Sequence, residues 1–187
     1  LNRPYVEHDT PNPMNAYGRS KLVGEEKIRR TYADHVILRT AWVYSPFGAN
    51  FVKTMLRLSV DRHEVRVVMD QIGNPTNALD IADALIIIAK RLKFDSASEL
   101  RGTFHLTGQG DASWADMAEV IFDIAGLRGR PRVKVSRILT QEYPTVAKRP
   151  ANSRLDNRKL ENVYGVKLPE WRISMTACVE RLLQETI

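Results

Sequence analysis

The segment VILRTAWVY, residues 36–44, limits the folds open to this chain. It is rich in β-branched and aromatic residues, which favours a strand buried in a sheet. Amphipathic segments on either side, at residues 15–33 and 50–62, have the period of helices. A buried strand between two amphipathic helices is typical of an α/β fold.

The rest of the sequence continues this alternation. Asn15 is the predicted N-cap of the first helix, on which Glu25 with Arg29 and Glu26 with Arg30 would form exposed ion pairs one turn apart. Further strands are predicted at residues 65–69, 102–107 and 132–138, and further helices at residues 78–92, 114–125, 157–163 and 174–185. Loops are predicted at residues 1–14, 45–48, 70–77 and 140–154, so that α/β order extends over the whole chain.

Composition narrows the classes of function. At 187 residues and 43% hydrophobic content the chain is long enough for one well-packed domain. Its long apolar run, residues 82–89, is interrupted by Asp83 and too short to cross a bilayer, and no signal peptide opens the sequence. We therefore expect a cytoplasmic protein without a membrane partner. The net charge of +6 suits a small anionic ligand, whereas the scattered basic residues argue against a nucleic-acid partner.

Cysteine and histidine usage gives no sign of a metal site. The four histidines lie far apart without ligand spacing, so we predict no bound metal. Cys178 is the one cysteine and cannot form an internal disulfide. It shares an apolar helical stripe with Met175, Val179, Leu182 and Leu183, which predicts a small core residue.

Tyr17 and Lys21 are four residues apart at the start of the first predicted helix, so their side chains project from one face. A nearby ammonium favours the phenolate, and such a phenol can pass a proton to a carbonyl oxygen whose carbon receives a hydride. Gly24 and Ile28 continue the stripe, which would leave Lys21 partly desolvated unless it lines a cavity. The pair alone favours a surface tyrosine beside a snorkelling lysine over a catalytic pair.

The segment GQGDAS, residues 108–113, looks at first like the glycine-rich turn of a dinucleotide-binding unit. Its last position is Ser113, a good N-cap, where the fingerprint has a glycine for close helix packing. No second strand ending in an acidic residue follows at the required distance. We therefore predict a turn followed by a capped helix.

Five stretches together resemble the extended short-chain dehydrogenase/reductase superfamily and, within it, the dTDP-4-dehydrorhamnose reductases. They are PMNAYGRSK at residues 13–21, RTAWVY at 39–44, NFVKTM at 50–55, DQIGNPT at 70–76 and RPANSRLD at 149–156. The whole superfamily shares the tyrosine and the lysine. Trp42 and the RPANSRLD segment favour this branch over the related epimerases and dehydratases.

The resemblance implies part of a Rossmann-like doubly wound sheet plus the smaller α/β substrate-binding region. Residues 1–48 would be the end of the cofactor-binding domain with the Tyr/Lys helix, and residues 49–187 mainly the substrate-binding region, partly interleaved with the cofactor domain. Members of the family begin with a GxxGxxG strand and helix that bind NADPH, a unit not found in this sequence. We therefore expect the C-terminal part of a reductase, inactive alone and partnered by its missing N-terminal half, with a homodimer left open.

The resemblance also implies a reaction, the reduction of the C4 keto group of dTDP-4-dehydro-L-rhamnose to dTDP-L-rhamnose with NADPH or NADH. Tyr17 would protonate the C4 oxygen, and Lys21 would activate Tyr17 and hold the nicotinamide ribose. Trp42 would stack on the deoxysugar, the alternative being a core aromatic, while Asn50 and Arg149 would approach the nucleotide or its phosphates. A non-catalytic NADP-binding regulatory subunit of the same fold, and a sugar-nucleotide epimerase or dehydratase, remain open alternatives.

Overall fold

The computed structural model describes residues 2–145 and 148–185. Residues 146 and 147 of the predicted loop 140–154, and the chain ends at residues 1 and 186–187, lie outside the described part. The helices are α1 Ala16–Thr31, α2 Phe51–Asp61, α3 Ala78–Phe94, α4 Trp114–Leu127, α5 Arg158–Tyr164 and α6 Trp171–Gln184. The strands are β1 Val36–Arg39, β2 Val43–Tyr44, β3 Glu64–Val68, β4 Ile72–Gly73, β5 Thr76–Asn77, β6 Gly102–His105, β7 Ala112–Ser113 and β8 Lys134–Ile138.

Of the four strand pairs in the described residues, three are parallel, which confirms the predicted α/β class. β1 pairs with β6 from Val36 opposite Gly102 onward, β2 pairs with β5, and β3 pairs with β8 from Glu64 opposite Lys134 onward. The short pair β4 and β7 is antiparallel. Each parallel pair is joined through at least one intervening helix, as parallel pairing requires.

Two apolar clusters form the core. The first surrounds the fully buried Trp171 and unites α2, α4 and α6 with β3, and it includes Cys178, whose predicted burial is confirmed. The second surrounds the fully buried Phe104 on β6 and unites it with α3 and α5. Within the described ranges, no helix has both the length and the apolar character needed to span a bilayer.

The predicted strand 36–44 is wrong as a single element. β1 ends at Arg39 and β2 begins at Val43, and the two strands pair with different partners, β6 and β5. Trp42 between them has φ = 47°, in the left-handed region, which interrupts an extended backbone. The break carries the chain from one core cluster to the other.

Two smaller predictions also need correction. The loop predicted at residues 70–77 contains the short strands β4 and β5. The last helix begins at Trp171 and not at Ser174, because the Glu170 carboxylate accepts the backbone N–H of Arg172 and caps the helix there. A capping glutamate gives a weaker sequence signal than the serine that follows it.

The ion pair between Glu25 and Arg29 is confirmed at 2.7 Å, but it is not exposed as predicted. The Glu25 carboxylate also accepts two hydrogen bonds from Arg39 of β1, at 2.9 and 2.6 Å, and its side chain is only 16% exposed. Burial acts to raise the pKa of Glu25, and the hydrogen bonds and charges of Arg39 and Arg29 outweigh it, so that the pKa lies below its usual value. This pairing fixes α1 on β1.

Candidate functional site

A cavity of about 560 Å³ lies between β2, α2, β3 and the start of α4. Its size falls within the range of small-molecule sites. Three residues singled out in the sequence, Trp42, Asn50 and Arg149, line it together. Tyr17 and Lys21 are not among its lining residues.

The cavity wall is aromatic and basic. Arg66 and Arg149 are its charged lining residues, and no carboxylate of the described chain faces them from the wall. Arg66 is 3.3 Å from Glu142 outside the wall, whereas Arg149 makes no ion pair with any residue that the structure describes. The indoles of Trp42 and Trp114 and the rings of Phe51 and Tyr143 supply apolar surface. Such a wall suits a ligand with a flat ring and an anionic group.

Trp42 is held from two directions. Its indole is stacked on that of Trp114, with 3.9 Å between centroids and 11° between planes. Its backbone conformation is unfavourable for a bulky residue, at a cost on the order of 1–3 kcal/mol, so surrounding contacts must stabilise it. The backbone N–H of Thr76 donates to the Trp42 carbonyl at 3.2 Å, which ties the strained residue to β5.

Asn50 is committed to the local backbone. Its side-chain oxygen accepts the N–H of Lys53 and caps α2, and its amide donates to the carbonyls of Ser45 at 2.7 Å and Phe47 at 3.3 Å. Both ends of the amide therefore hold the turn 45–48 against the helix. In this geometry Asn50 shapes the cavity wall through the turn that it fixes.

Tyr44 also lines the cavity, on β2, but its hydroxyl is directed into the core. It donates to the carbonyl of Trp171 at 3.4 Å. Burial, with nearby Cys178 and Asp80, raises the pKa of Tyr44 far above its usual range. Tyr44 is therefore unsuited to giving up a proton.

Tyr17 and Lys21 lie side by side on the first turns of α1. The Lys21 ammonium nitrogen is 5.3 Å from the centroid of the Tyr17 ring, and Tyr17 is 72% exposed. No residue of α1 is buried, so the expected desolvation of Lys21 is not observed. The helix packs through the neighbouring face that carries Gly18, Leu22 and Glu25, which turns the Tyr/Lys stripe to solvent.

A hydrogen bond connects this helix to the cavity wall. The Asn15 amide donates to the carbonyl of Lys148 at 3.1 Å, and the next residue, Arg149, lines the cavity. The same Asn15 accepts the N–H of Gly18 at 2.9 Å, which confirms it as the N-cap. The Tyr/Lys pair is thus anchored beside the cavity although it does not line it.

The segment 108–113 does not offer a cradle for a pyrophosphate. A Cβ at Gly108 would lie 2.3 Å from the Pro75 carbonyl oxygen, and one at Gly110 would lie 3.1 Å from Trp171. Ser113 and Asp116 form a capping box that satisfies the N-terminus of α4. The predicted turn and cap are confirmed, and both glycines pack against protein.

The exposed Tyr17 and Lys21 fit the nicotinamide end of a dinucleotide, since they offer a hydroxyl and an ammonium on one open face. The described residues therefore fit one end of such a cofactor, whereas the glycine turn at residues 108–113 does not fit the other end.

No site role is predicted from the sequence for the cavity residues Arg66, Gln71, Trp114 and Tyr143. For Trp114 the sequence predicts only the start of a helix. It reaches the cavity because β4 and β7 pair and bring the start of α4 beside Trp42. No local signal in the sequence predicts this contact. The sole hint is an aromatic residue directly after a strong N-cap, a position at which a large ring needs a packing partner.

Comparison with known proteins places these features in a family context. The family model described as RmlD substrate binding domain matches residues 1–184. The dTDP-4-dehydrorhamnose reductase of Sinorhizobium fredii is 49% identical over 183 residues, which are 97% of this chain and 62% of that protein.

Two crystal structures of reductases are similar to the structure of this chain. The dTDP-4-dehydrorhamnose reductase of Clostridium acetobutylicum aligns with a TM-score of 0.88 at 38% identity, over 98% of this chain and 61% of that one. That of Bacillus anthracis, in complex with NADP, aligns with a TM-score of 0.80 at 36% identity, again over 98% and 61%. The chain spans less than two thirds of the length of these relatives.

Proposed function

This chain belongs to the RmlD substrate binding domain family, as the sequence resemblance indicated, and on that premise we propose that it carries the sugar-nucleotide pocket and the proton donor of a dTDP-4-dehydrorhamnose reductase. The reaction is reduction of the C4 keto group of dTDP-4-dehydro-L-rhamnose to dTDP-L-rhamnose. The observation that carries the proposal is the cavity that unites Trp42 and Arg149 beside the helix of Tyr17 and Lys21.

The charges and aromatic rings of the cavity wall are suited to a nucleotide-sugar substrate. Arg149, without a protein ion pair among the described residues, and Arg66 are suited to the diphosphate, since guanidinium groups bind phosphate oxygens in pairs of hydrogen bonds. Trp42, Phe51 and Trp114 supply aromatic, apolar surface against which a base or a deoxysugar packs. Asn50 contributes by fixing the turn at the cavity rim.

Tyr17 is the proposed acid. Its hydroxyl is exposed and beside Lys21, so that a carbonyl oxygen brought to it receives the phenolic proton while the ammonium stabilises the phenolate left behind. When bound, NADPH or NADH supplies the hydride that reduces the keto carbon. Lys21 also supplies donors for the ribose hydroxyls of the cofactor.

The cofactor's pyrophosphate is proposed to bind outside residues 1–187. This is supported by the greater length of the relatives and by the packed glycines at residues 108–113. The segment that holds it is the proposed partner of this chain, and we expect residues 1–187 alone to bind NADPH weakly and to lack reductase activity.

The test uses the complete product of the gene that encodes this chain, next to residues 1–187 alone. With NADPH and dTDP-4-dehydro-L-rhamnose we expect loss of NADPH absorbance and formation of dTDP-L-rhamnose, identified by mass and NMR. dTDP-glucose, which has no keto group, is the matched control substrate and is expected to cause no NADPH loss.

Other outcomes would overturn the proposal in distinct ways. Binding of NADPH without turnover would support the regulatory alternative. A change of sugar configuration without net NADPH loss would support an epimerase. Micromolar NADPH binding by intact residues 1–187 would show that the pyrophosphate site is misplaced.

A further inference from the structure

Trp42 has an unusual backbone for its size. It is the one residue other than glycine with positive φ in the described ranges, at 47°. A bulky side chain persists there only when contacts around it prevent relaxation to negative φ. The contacts of its indole ring therefore show what fixes it in the cavity.

Trp114 covers one face of that ring and is itself locked. Beyond the stack at 3.9 Å, the Trp114 indole N–H donates to Oε1 of Gln71 at 3.2 Å. Gln71 is buried, and its Nε2 donates to the hydroxyl of Thr140 at 3.1 Å. The Thr140 hydroxyl in turn donates to Asp70 at 2.7 Å. This chain of hydrogen bonds fixes the orientation of Trp114, and with it the plane available to Trp42.

Gly73 provides the second contact. A Cβ at Gly73 would lie 2.5 Å from Cε2, 2.6 Å from Nε1 and 2.8 Å from Cδ2 of Trp42. Gly73 does not have positive φ, so its backbone conformation is open to any L residue. The Trp42 ring therefore requires glycine at this position.

We propose that Trp114 and Gly73 are positioning residues that together hold Trp42 in its strained, ligand-facing conformation. This inference rests on the proposed function, in which Trp42 contacts the sugar nucleotide. Tyr17 and Lys21 lie on another element, α1, outside the cavity wall. Displacement of Trp42 is therefore expected to weaken substrate binding and to leave proton transfer largely intact, which raises KM more than it lowers kcat.

The first test substitutes Trp114 in the complete gene product. For Trp114→Leu we expect a rise in KM for the sugar nucleotide of about tenfold, with kcat changed less than about threefold, because an aromatic stack is lost but the acid is not. Trp114→Phe keeps an aromatic ring over Trp42 and is expected to recover most of the loss. A purely structural role would instead lower the folded fraction and the apparent kcat.

A spectroscopic readout does not depend on activity. Two indoles stacked at 3.9 Å couple their excited states, and when their transition moments are twisted relative to each other they give a paired positive and negative circular-dichroism signal. We expect this signal in the unsubstituted protein and its loss in Trp114→Leu. Trp171→Phe, which removes the third tryptophan, is expected to retain it because, among the described residues, the Trp171 ring is not stacked on either indole of the pair.

The second test is a pair of glycine substitutions. Gly73→Ala places a methyl carbon within the Trp42 ring contact and is expected to abolish the paired signal and raise KM by a similar factor. Gly126→Ala is the matched control, because Gly126 lies on α4 with nothing within 4 Å of the added carbon. It is expected to leave the signal and KM unchanged.

The outcomes separate this inference from the proposed function. An unchanged KM in Trp114→Leu and Gly73→Ala, in an enzyme that reduces the keto sugar, would overturn the positioning role alone. If the protein reduces no keto sugar, the proposed function fails, and the signal in Gly73→Ala against Gly126→Ala still decides whether Gly73 holds Trp42.

Discussion

The side-chain amide of Asn15 donates a hydrogen bond to the carbonyl oxygen of Lys148, with 3.1 Å between the two atoms. Asn15 begins the helix of Tyr17 and Lys21, and Lys148 precedes Arg149 in the cavity wall. One side chain therefore connects the proposed acid to the proposed substrate pocket. Because its oxygen also caps α1, the cap and the connection can be separated by substitution.

Asn15→Ser retains a good N-cap but is too short to reach Lys148, whereas Asn15→Ala removes both interactions. We expect the alanine variant to lose about 1 kcal/mol of unfolding free energy and the serine variant a few tenths. In both variants trypsin should cleave faster after Lys148, because the carbonyl of that peptide bond is no longer held. Urea unfolding and mass analysis of timed digests measure the two effects. Equal cleavage in all three proteins would show that the connection has no effect on the loop.

Tyr17→Phe removes the proposed proton donor and keeps the ring beside Lys21. In the complete gene product we expect kcat to fall at least about a hundredfold, the lower range of general acid catalysis, with cofactor affinity nearly unchanged. Steady-state rates with the keto sugar and titration with NADPH provide the measurements. Tyr32→Phe, just after the same helix and also exposed, is the control and is expected to retain full activity. Near-normal turnover of the Tyr17 variant would remove Tyr17 from the mechanism.

The parts of the fold that the sequence predicts are those with local causes. Asn15 and Ser113 each cap a helix as predicted, because an N-cap acts on backbone N–H groups only two or three residues away. The N-cap role of Ser113 is also a local signal, and it distinguishes the turn at residues 108–113 from a dinucleotide-binding turn, which has glycine at that position.

What the sequence does not predict depends on distant contacts. The break at Trp42 is stabilised by Trp114 and by the absence of a side chain at Gly73, neither of which is a neighbour in sequence. The exposure of Lys21 depends on which face of α1 packs against the rest of the protein. The ion pair between Glu25 and Arg39 places the Glu25 face of α1 against β1. The cavity itself forms only when β2, α2, β3 and α4 have assembled, so Arg66 and Tyr143 carry no local signal of their role.

Because of the buried imidazole of His105, we expect the free energy of unfolding to fall on mild acidification. The side chain is fully buried on β6, and Nδ1 has no hydrogen-bond partner in the described residues. Burial lowers the pKa of His105 below 6.5, with Arg39 adding to the effect and Glu7 opposing it. Above that pH both the folded and the unfolded state are neutral. Below it the unfolded state takes up a proton that the folded state resists, so the free energy of unfolding falls by up to about 1.4 kcal/mol per pH unit.

Urea unfolding at several pH values between about 6.5 and 5 measures this effect, in a range above the usual carboxylate pKa values. His105→Gln should flatten the slope whatever its effect on absolute stability. His63→Gln removes an exposed imidazole and should leave the slope unchanged. An equal slope in the unsubstituted protein and the His105 variant would assign the acid sensitivity to another group.

We expect the thiol of Cys178 to react with disulfide reagents only when the protein unfolds locally or globally. It lies on α6 in the cluster around Trp171, and burial raises its pKa to about 11, although Arg181 and Lys53 act to lower it. At neutral pH almost no thiolate is present, and the sulfur is out of contact with solvent, so a disulfide reagent should modify the folded protein very slowly. Denaturant should restore rapid reaction, since an unfolded cysteine has a pKa of about 8.5.

Ala33→Cys in a Cys178→Ala background places a thiol at an exposed position and should react at once under native conditions. Rapid native modification of Cys178 would show that α6 opens readily, because the reaction rate then reports the population of the open state.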